Sequence, residues 1–234
     1  AIIYPKILDG DFNDQHRITH FSLVATQLSR QINSKFPFGE ATKAILLGGS
    51  KIPHALIQKS IDLNLPIHTS YGCSEMASQV CTTSKEATID ELMTAGKVLA
   101  GRQVKINQNG RIQLNGKTRF LGYWRNQKLL RPFDHNGWFT TNDLGVIDKN
   151  GFLKVIGRTD RMFISGGENI HPEQIEQALI NVEGIMKALV IDMPSETYGS
   201  RPVAFLQGQK NYSDPELREL LSKNLMPFQI PDVF

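Results

Sequence analysis

Gly157-Arg158-Thr159-Asp160-Arg161-Met162-Phe163-Ile164-Ser165-Gly166-Gly167-Glu168-Asn169-Ile170-His171-Pro172-Glu173-Gln174-Ile175-Glu176 is the stretch from which the rest of the chain is read. It leaves the end of an apolar β-type run, passes charged residues and crosses a loop built on paired glycines. It then enters a helix with a clear start: Pro172 suits the first helical position, and Glu173 and Glu176 complement the positive end of the helix. Ile175, Ala178 and Leu179 supply an apolar stripe at helical spacing. A strand end, a glycine loop and a helix start in so short a span predict a junction between two bodies.

Immediately upstream, residues 97–159 read as mainly β, in the manner of a distorted antiparallel barrel. Gln103-Val104-Lys105-Ile106 and Arg111-Ile112-Gln113-Leu114 flank Asn109-Gly110, a strong hairpin signal. A second hairpin runs from Leu144 to Ile156 around Asp148-Lys149-Asn150-Gly151. Phe120-Leu121-Gly122-Tyr123-Trp124 is an aromatic segment, and Gly137-Trp138-Phe139-Thr140-Thr141-Asn142-Asp143 is expected between strands. Asp143, just after a β-type run, can accept hydrogen bonds from the two hydroxyls of a ribose. Taken alone, capping a turn accounts for it better.

Residues 1–96 read as α/β. Lys43–Leu47 is a short buried strand ended by Gly48-Gly49-Ser50, Pro53 opens a helix carrying Leu56, Ile57 and Ile61, and Pro66–Ser70 returns as a strand. That is a minimal βαβ unit with parallel strands, in which ligands gather where the strands end. The loops expected there are Gly48-Gly49-Ser50 and Tyr71-Gly72-Cys73-Ser74-Glu75. Glycines bring backbone N–H groups close to a phosphate or base, Ser74 offers a hydroxyl, and Glu75 a hard oxygen suited to Mg²⁺. Tyr71 is placed to stack on a nucleobase, although an ordinary turn with a packed Tyr explains the second loop equally well. Phe21, Val24, Leu28 and Ile32 predict one amphipathic helix over 19–32, whose Ser22, Thr26 and Gln27 either face solvent or line a pocket. Ala1–Tyr4 reads as a strand without a preceding cap, so the chain is expected to open inside a larger fold.

Beyond the junction, residues 160–234 read as a small α+β unit. Helix 172–181 leads to strands Lys187–Met193 and Arg201–Leu206, then to a helix begun by Ser213 and Glu216 as a capping box. Gln229–Phe234 is expected to lead onward, which makes this unit a truncated one. Composition excludes several classes of protein. A net charge of +3, dispersed and without interleaved aromatics, gives no nucleic-acid surface. No apolar run approaches the roughly 20 residues of a membrane span. Cys73 and Cys81 have no metal-spaced partners, so reduced thiols in a cytoplasmic protein are expected.

Three motifs in fixed order, Tyr71–Glu75, Gly137–Asp143 and Gly157–Glu176, resemble the signatures of the adenylate-forming superfamily of acyl-CoA synthetases, luciferases and peptide-synthetase adenylation domains. The resemblance runs over essentially the whole chain. It is greatest to the o-succinylbenzoate–CoA ligases of menaquinone biosynthesis, through His20–Leu28, Leu46–Pro53, Tyr123–Asn126 and Ile164–Ile170. The fold implied is the later part of a large domain (1–159), with parallel βαβ and β-barrel-like portions, followed by a small mobile α+β domain (160–234). The chemistry implied is ATP- and Mg²⁺-dependent activation of a carboxylic acid as an acyl-adenylate, then transfer to coenzyme A.

Carried over by position, Tyr71 and Gly49 border the adenine, with Gly48, Ser50 and Gly72 beside them. Ser74 touches the phosphates, Glu75 holds Mg²⁺ and Asp143 takes the ribose hydroxyls. Arg158 reaches the ribose–phosphate side, Asp160 is the hinge, and Gly166 and Gly167 border the pantetheine tunnel. Without its motif, Asp160 would be read as half of a surface ion pair. Asn142 stands where the family usually has Gly, which is read as tolerated because Asp143 is kept. The family's phosphate loop would precede Ala1 and its catalytic lysine would follow Phe234. The chain is therefore read as an internal segment with little adenylation activity alone. A CoA ligase for another aryl or fatty acid, and a non-catalytic nucleotide-binding remnant, are the competing readings. A homodimer is left open.

Overall fold

The structure is a computed structural model that describes residues 18–34 and 38–234; the strand expected at Ala1–Tyr4 lies outside them. In chain order, the first elements are β1 (His20–Leu23), α1 (Ala25–Ile32), β2 (Ala44–Leu47), α2 (His54–Asp62), β3 (Ile67–Cys73), β4 (Ser78–Thr82), α3 (Ile89–Leu92) and β5 (Lys97–Val98). They form a five-stranded sheet ordered β1-β2-β3-β4-β5. β1, β2 and β3 are parallel, and β4 and β5 run antiparallel to their neighbours. The expected βαβ unit is present as β2-α2-β3, with Pro53 as the N-cap of α2.

The single helix expected over 19–32 is corrected. His20–Leu23 is a strand paired with β2, and the helix begins only at Ala25. Its alternation explains this: His20 and Ser22 are exposed while Leu23 is buried, a period of two that ends at Val24. The spacing from Phe21 to Val24 imitates a helix by coincidence, and Leu28 is the residue that α1 fully buries. Leu23, Leu28, Ile45, Leu47, Ile57 and Ile67 form the core shared by this sheet and its helices. α3 is one turn set by a capping box between Thr88 and Glu91, a signal passed over in the sequence.

The next elements are β6 (Arg102–Ile106), β7 (Arg111–Gly116), β8 (Tyr123–Arg125), β9 (Lys128–Leu130), β10 (Phe139–Ile147) and β11 (Leu153–Arg158). Four of them make a sheet ordered β11-β10-β7-β6, with β10 antiparallel to β7 and a slip in register between Thr140 and Leu144. Phe139–Asp143, expected between strands, is instead the first half of β10. The motif reads as a connector because its polar residues fall where the ladder is broken. β8 and β9 form a separate hairpin turned at Asn126 and Gln127, both with positive φ.

The chain ends with β12 (Phe163–Ser165), β13 (Glu168–Ile170), α4 (Pro172–Ile180), β14 (Ile185–Ser195), β15 (Gly199–Gly208) and α5 (Asp214–Ser222). The paired-glycine loop is the tip of a tight hairpin between β12 and β13, with φ of 58° at Gly166 and 90° at Gly167. Both values lie in the region where a side chain is strained. Pro172 occupies the first helical turn as expected. Glu173 and Glu176 do more than face the helix dipole: they clamp Arg161 at 3.1 and 2.7 Å, and Glu176 also accepts the Val190 N–H. The β14–β15 hairpin packs on α4 and α5 over Ile175, Leu179, Val190, Leu217 and Leu221. Arg201 bonds Asp232 and the carbonyls of Phe228 and Ile230, and so ties down the last segment.

Two compact units result. One takes the described residues up to Gln103 with Asn115–Arg131 and Asp148–Lys154; the other takes Val104–Leu114, Pro132–Ile147 and Val155–Phe234. Leu179 is fully buried in the second. Leu179→Ala should destabilise that unit by about 2–5 kcal/mol, the cost of a buried Leu-sized deletion and its cavity. A urea titration followed by hydrogen exchange in α4 and β14 checks this, and an unchanged midpoint would refute it.

Candidate functional site

In the first unit the nucleotide-site candidates follow or end the parallel strands β2 and β3. β1, β2 and β3 are parallel and in register, with Leu23 opposite Leu47 and Leu47 opposite Thr69. The segments that follow them therefore leave the same carboxyl end, where ligands of α/β sheets bind. Gly48-Gly49-Ser50 follows β2. The Gly48 N–H donates to the Leu23 carbonyl at 3.2 Å, and a Cβ on Gly49 would meet the Val24 side chain at 3.2 Å. Ser70 Oγ donates to the Leu47 carbonyl at 2.9 Å and locks the neighbouring strand ends together.

Tyr71-Gly72-Cys73, expected as part of a loop, is instead the end of β3, and Ser74–Met76 is a 3₁₀ turn. β4 pairs back along β3 through Tyr71–Cys73, which keeps those residues extended. Gly72 is required there, because a Cβ would lie 2.3 Å from the Ser78 carbonyl oxygen. Met76 is fully buried and pins the turn, while Ser74 is exposed and Glu75 half-buried. The Tyr123 hydroxyl donates to Glu75 Oε1 at 2.7 Å. Burial, followed by this bond and the carboxylate's charge, pushes the Tyr123 hydroxyl up to about 12. Burial and Glu75 likewise push the Cys73 thiol up to about 12, so it stays protonated and is no nucleophile. Among the described residues no three His, Cys, Asp or Glu side chains cluster as a metal site. One carboxylate fits Mg²⁺ that arrives with nucleotide phosphates and keeps several waters.

The acyl-binding candidates fall on two elements. Ser22 is exposed on β1 opposite Leu46, while Thr26 and Gln27 lie in the first turn of α1. Gln27 is engaged locally, its Oε1 accepting the Val24 N–H at 3.0 Å.

In the second unit one guanidinium gathers the rest. Arg158 donates to Asp143 Oδ1 at 3.0 Å, and to Asp160 through Nε at 2.9 Å and through Nη2 at 2.7 Å. Asp160 thus does form the ion pair that its bland reading predicted. Asp143 sits at the break in the β10 ladder and is largely buried, its side chain 14% exposed. The turn after β11 is held to β10 by the Thr159 N–H, which donates to the Asn142 carbonyl at 2.8 Å. Asn142 Oδ1 accepts from Arg111 at 2.7 Å, a partner the sequence reading missed. Gly166 and Gly167 lie at their own hairpin tip, where the Gly166 N–H donates to the Tyr198 carbonyl at 2.9 Å.

No protein-family model matches the chain. It is 33% identical over 242 residues to a 2-succinylbenzoate–CoA ligase of Listeria monocytogenes serotype 4b, covering 99% of this chain and 52% of the relative. The structure is similar to o-succinylbenzoate CoA synthetase from Bacillus subtilis in complex with the acyl-adenylate intermediate OSB-AMP, with TM-score 0.85 and 31% identity over 94% of this chain and 48% of that one. The same values hold for the Bacillus subtilis enzyme in complex with ATP and magnesium ion. The chain spans about half the length of the curated relatives it matches.

The Asp160 carboxyl is held below its ordinary 3.8, chiefly by the hydrogen bond from Arg158. Because the folded value is the lower one, this pair's contribution to stability is complete above 3.8 and lost as pH falls through the folded value. With side chains 46% and 47% exposed, that contribution is small. Carboxyl-detected NMR should find Asp160 titrating below 3.8, and Arg158→Met should raise its midpoint. An unmoved midpoint in the variant would dismiss the ion pair as the cause.

Proposed function

From the premise that the homologues of this chain are 2-succinylbenzoate–CoA ligases, we propose that it is the nucleotide- and acyl-handling part of an ATP-dependent acid–thiol ligase acting on 2-succinylbenzoate. The observation that carries the reading is the pairing of likeness and geometry. A chain alike over nearly its whole length to a ligase solved with OSB-AMP has Glu75 in the turn that follows β3 and Asp143 beside Arg158.

The reaction has two transfers. A carboxylate oxygen of the substrate attacks the α-phosphorus of ATP, pyrophosphate leaves, and an acyl-adenylate forms. The sulfur of coenzyme A then attacks the acyl carbon, AMP leaves, and the thiol proton passes to solvent. Nucleophile and triphosphate are both anionic in the first step, so positioning and charge stabilisation dominate the barrier. Glu75 would hold Mg²⁺, which supplies charge neutralisation at the phosphates. Ser74 is assigned to the phosphate region, and Tyr71 stacks on the adenine beside Gly48, Gly49, Ser50 and Gly72. Asp143, a carboxylate with two acceptor oxygens, takes the ribose hydroxyls, and Arg158 takes the adjoining phosphate side. Asp160 is assigned to the hinge between the domains 1–159 and 160–234, and Gly166 and Gly167 to the pantetheine path. Ser22 and Thr26 remain the acyl-side candidates, with Gln27 the weaker because its carboxamide caps α1. Cys73 and Cys81 are both free thiols, which fits a reducing compartment, and we place the protein in the cytoplasm.

The reading is tested with the protein that carries this chain at its natural length. AMP release and CoA-thioester formation are measured with 2-succinylbenzoate against benzoate, cinnamate and a medium-chain fatty acid. Preference for 2-succinylbenzoate in kcat/KM is expected; preference for another acid moves the assignment to another CoA ligase. Absence of AMP release with every acid, while ATP still binds, favours a nucleotide-binding remnant. Asp143→Asn should weaken AMP binding by about 1.5–3 kcal/mol, about 12- to 140-fold, the worth of hydrogen bonds to a charged group. Unchanged affinity by calorimetry would remove Asp143 from the ribose site.

A further inference from the structure

The aromatic stretch Phe120–Trp124 has no role in the reaction above, yet it is the segment that grips Glu75. The Tyr123 hydroxyl donates to the Glu75 carboxylate at 2.7 Å, and the Phe120 N–H donates to the Glu75 carbonyl oxygen at 2.8 Å. The two rings meet edge to face with centroids 4.9 Å apart. One short segment therefore holds both the main chain and the side chain of a single residue. Its own path is constrained by Gly122, where φ is +143° and a Cβ would lie 2.3 Å from the Leu130 carbonyl oxygen. From the other side, fully buried Met76 prevents the turn that carries Glu75 from swinging out.

We propose that Tyr123 is a positioning residue, holding the Glu75 carboxylate in the orientation that receives a divalent cation. This rests on the reading of Glu75 as the Mg²⁺ ligand. Magnesium demands near-ideal octahedral geometry and dehydrates reluctantly, so a lone protein carboxylate serves it well only if already aimed. Glu75 is the kind of long side chain that loses considerable rotamer freedom when fixed, and the hydroxyl removes that freedom before the metal arrives. A phenol is suited to the task because it is a neutral donor. It orients the carboxylate without itself adding a positive charge beside the cation, as a Lys or Arg in the same place would. Hydrogen-bonded outer partners of metal ligands have this function generally, and their loss weakens metal affinity by about 10- to 100-fold.

The test uses the natural-length protein and Mn²⁺ as the probe, with binding followed by electron paramagnetic resonance in the presence of ATP. Tyr123→Phe should weaken Mn²⁺ binding by about 10- to 100-fold and leave ATP affinity in the absence of metal unchanged. Excess Mg²⁺ should then restore the adenylation rate. Phe120→Leu, which loosens the ring contact but keeps the hydroxyl, should retain Mn²⁺ affinity. If Phe120→Leu loses as much affinity as Tyr123→Phe, general hairpin packing is responsible and the inference is overturned. It is also overturned if Tyr123→Phe binds Mn²⁺ like the parent while Glu75→Gln does not. Should Glu75→Gln itself bind Mn²⁺ like the parent, the fault lies with the reading of Glu75.

Discussion

Arg158 is the side chain on which the second unit's candidate site depends. Its planar fork meets two carboxylates from different elements, Asp143 on β10 and Asp160 in the turn after β11. A lysine could reach one of them but could not present parallel donors to both. The energy involved is modest, since exposed pairs contribute about 0–1 kcal/mol. The consequence is geometric. Asp160 is held against the sheet by the group that also neighbours the proposed ribose carboxylate, so a nucleotide at Asp143 necessarily acts on the same guanidinium. Hydrogen bonding by Asp160, then the two negative charges, raise the Arg158 pKa further, which keeps it a cation throughout.

The first unit solves a different problem by burial. Parallel strands β1 to β3 place three segments at their common carboxyl end, and Leu23, Ile45, Leu47 and Ile67 hold them in register from beneath. This much was legible in the sequence, because Leu46-Leu47-Gly48-Gly49 and Pro66–Ser70 have the apolar runs and abrupt stops of buried strands. The βαβ unit, the Pro172 start of α4 and the Ser213–Glu216 capping box were readable because local chemistry and tertiary packing agree there. The strand within 19–32 was not, since four residues of alternation are too short to outweigh a helical pattern that continues them. Only pairing with β2 decides it.

Site residues divide along the same line. Glu75, Asp143 and Arg158 were named from motifs, but what surrounds them was not readable. The Tyr123–Glu75 bond joins residues 48 positions apart, and the Arg111–Asn142 bond joins residues 31 apart. No periodicity or propensity encodes such distances. The glycine pair shows the reverse case: a two-residue turn with two positive φ values has a local cause, and Gly166-Gly167 states it openly.

Asn142 brings a polar side chain to the break in the β10 ladder. A glycine at that position would leave the backbone alone to bind Thr159. Asparagine keeps that carbonyl bond at 2.8 Å and points an exposed side chain toward Arg111, which also donates to the Thr141 carbonyl at 2.7 Å. Its Nδ2 approaches Asp160 at 3.4 Å, a long contact that adds direction more than energy. Asn142 is exposed and lies where β10 breaks register. Arg111, Asn142, Asp160, Arg158 and Asp143 thereby form one continuous polar chain across β7, β10 and the turn after β11. The Asn142 side chain extends the network that fixes the turn.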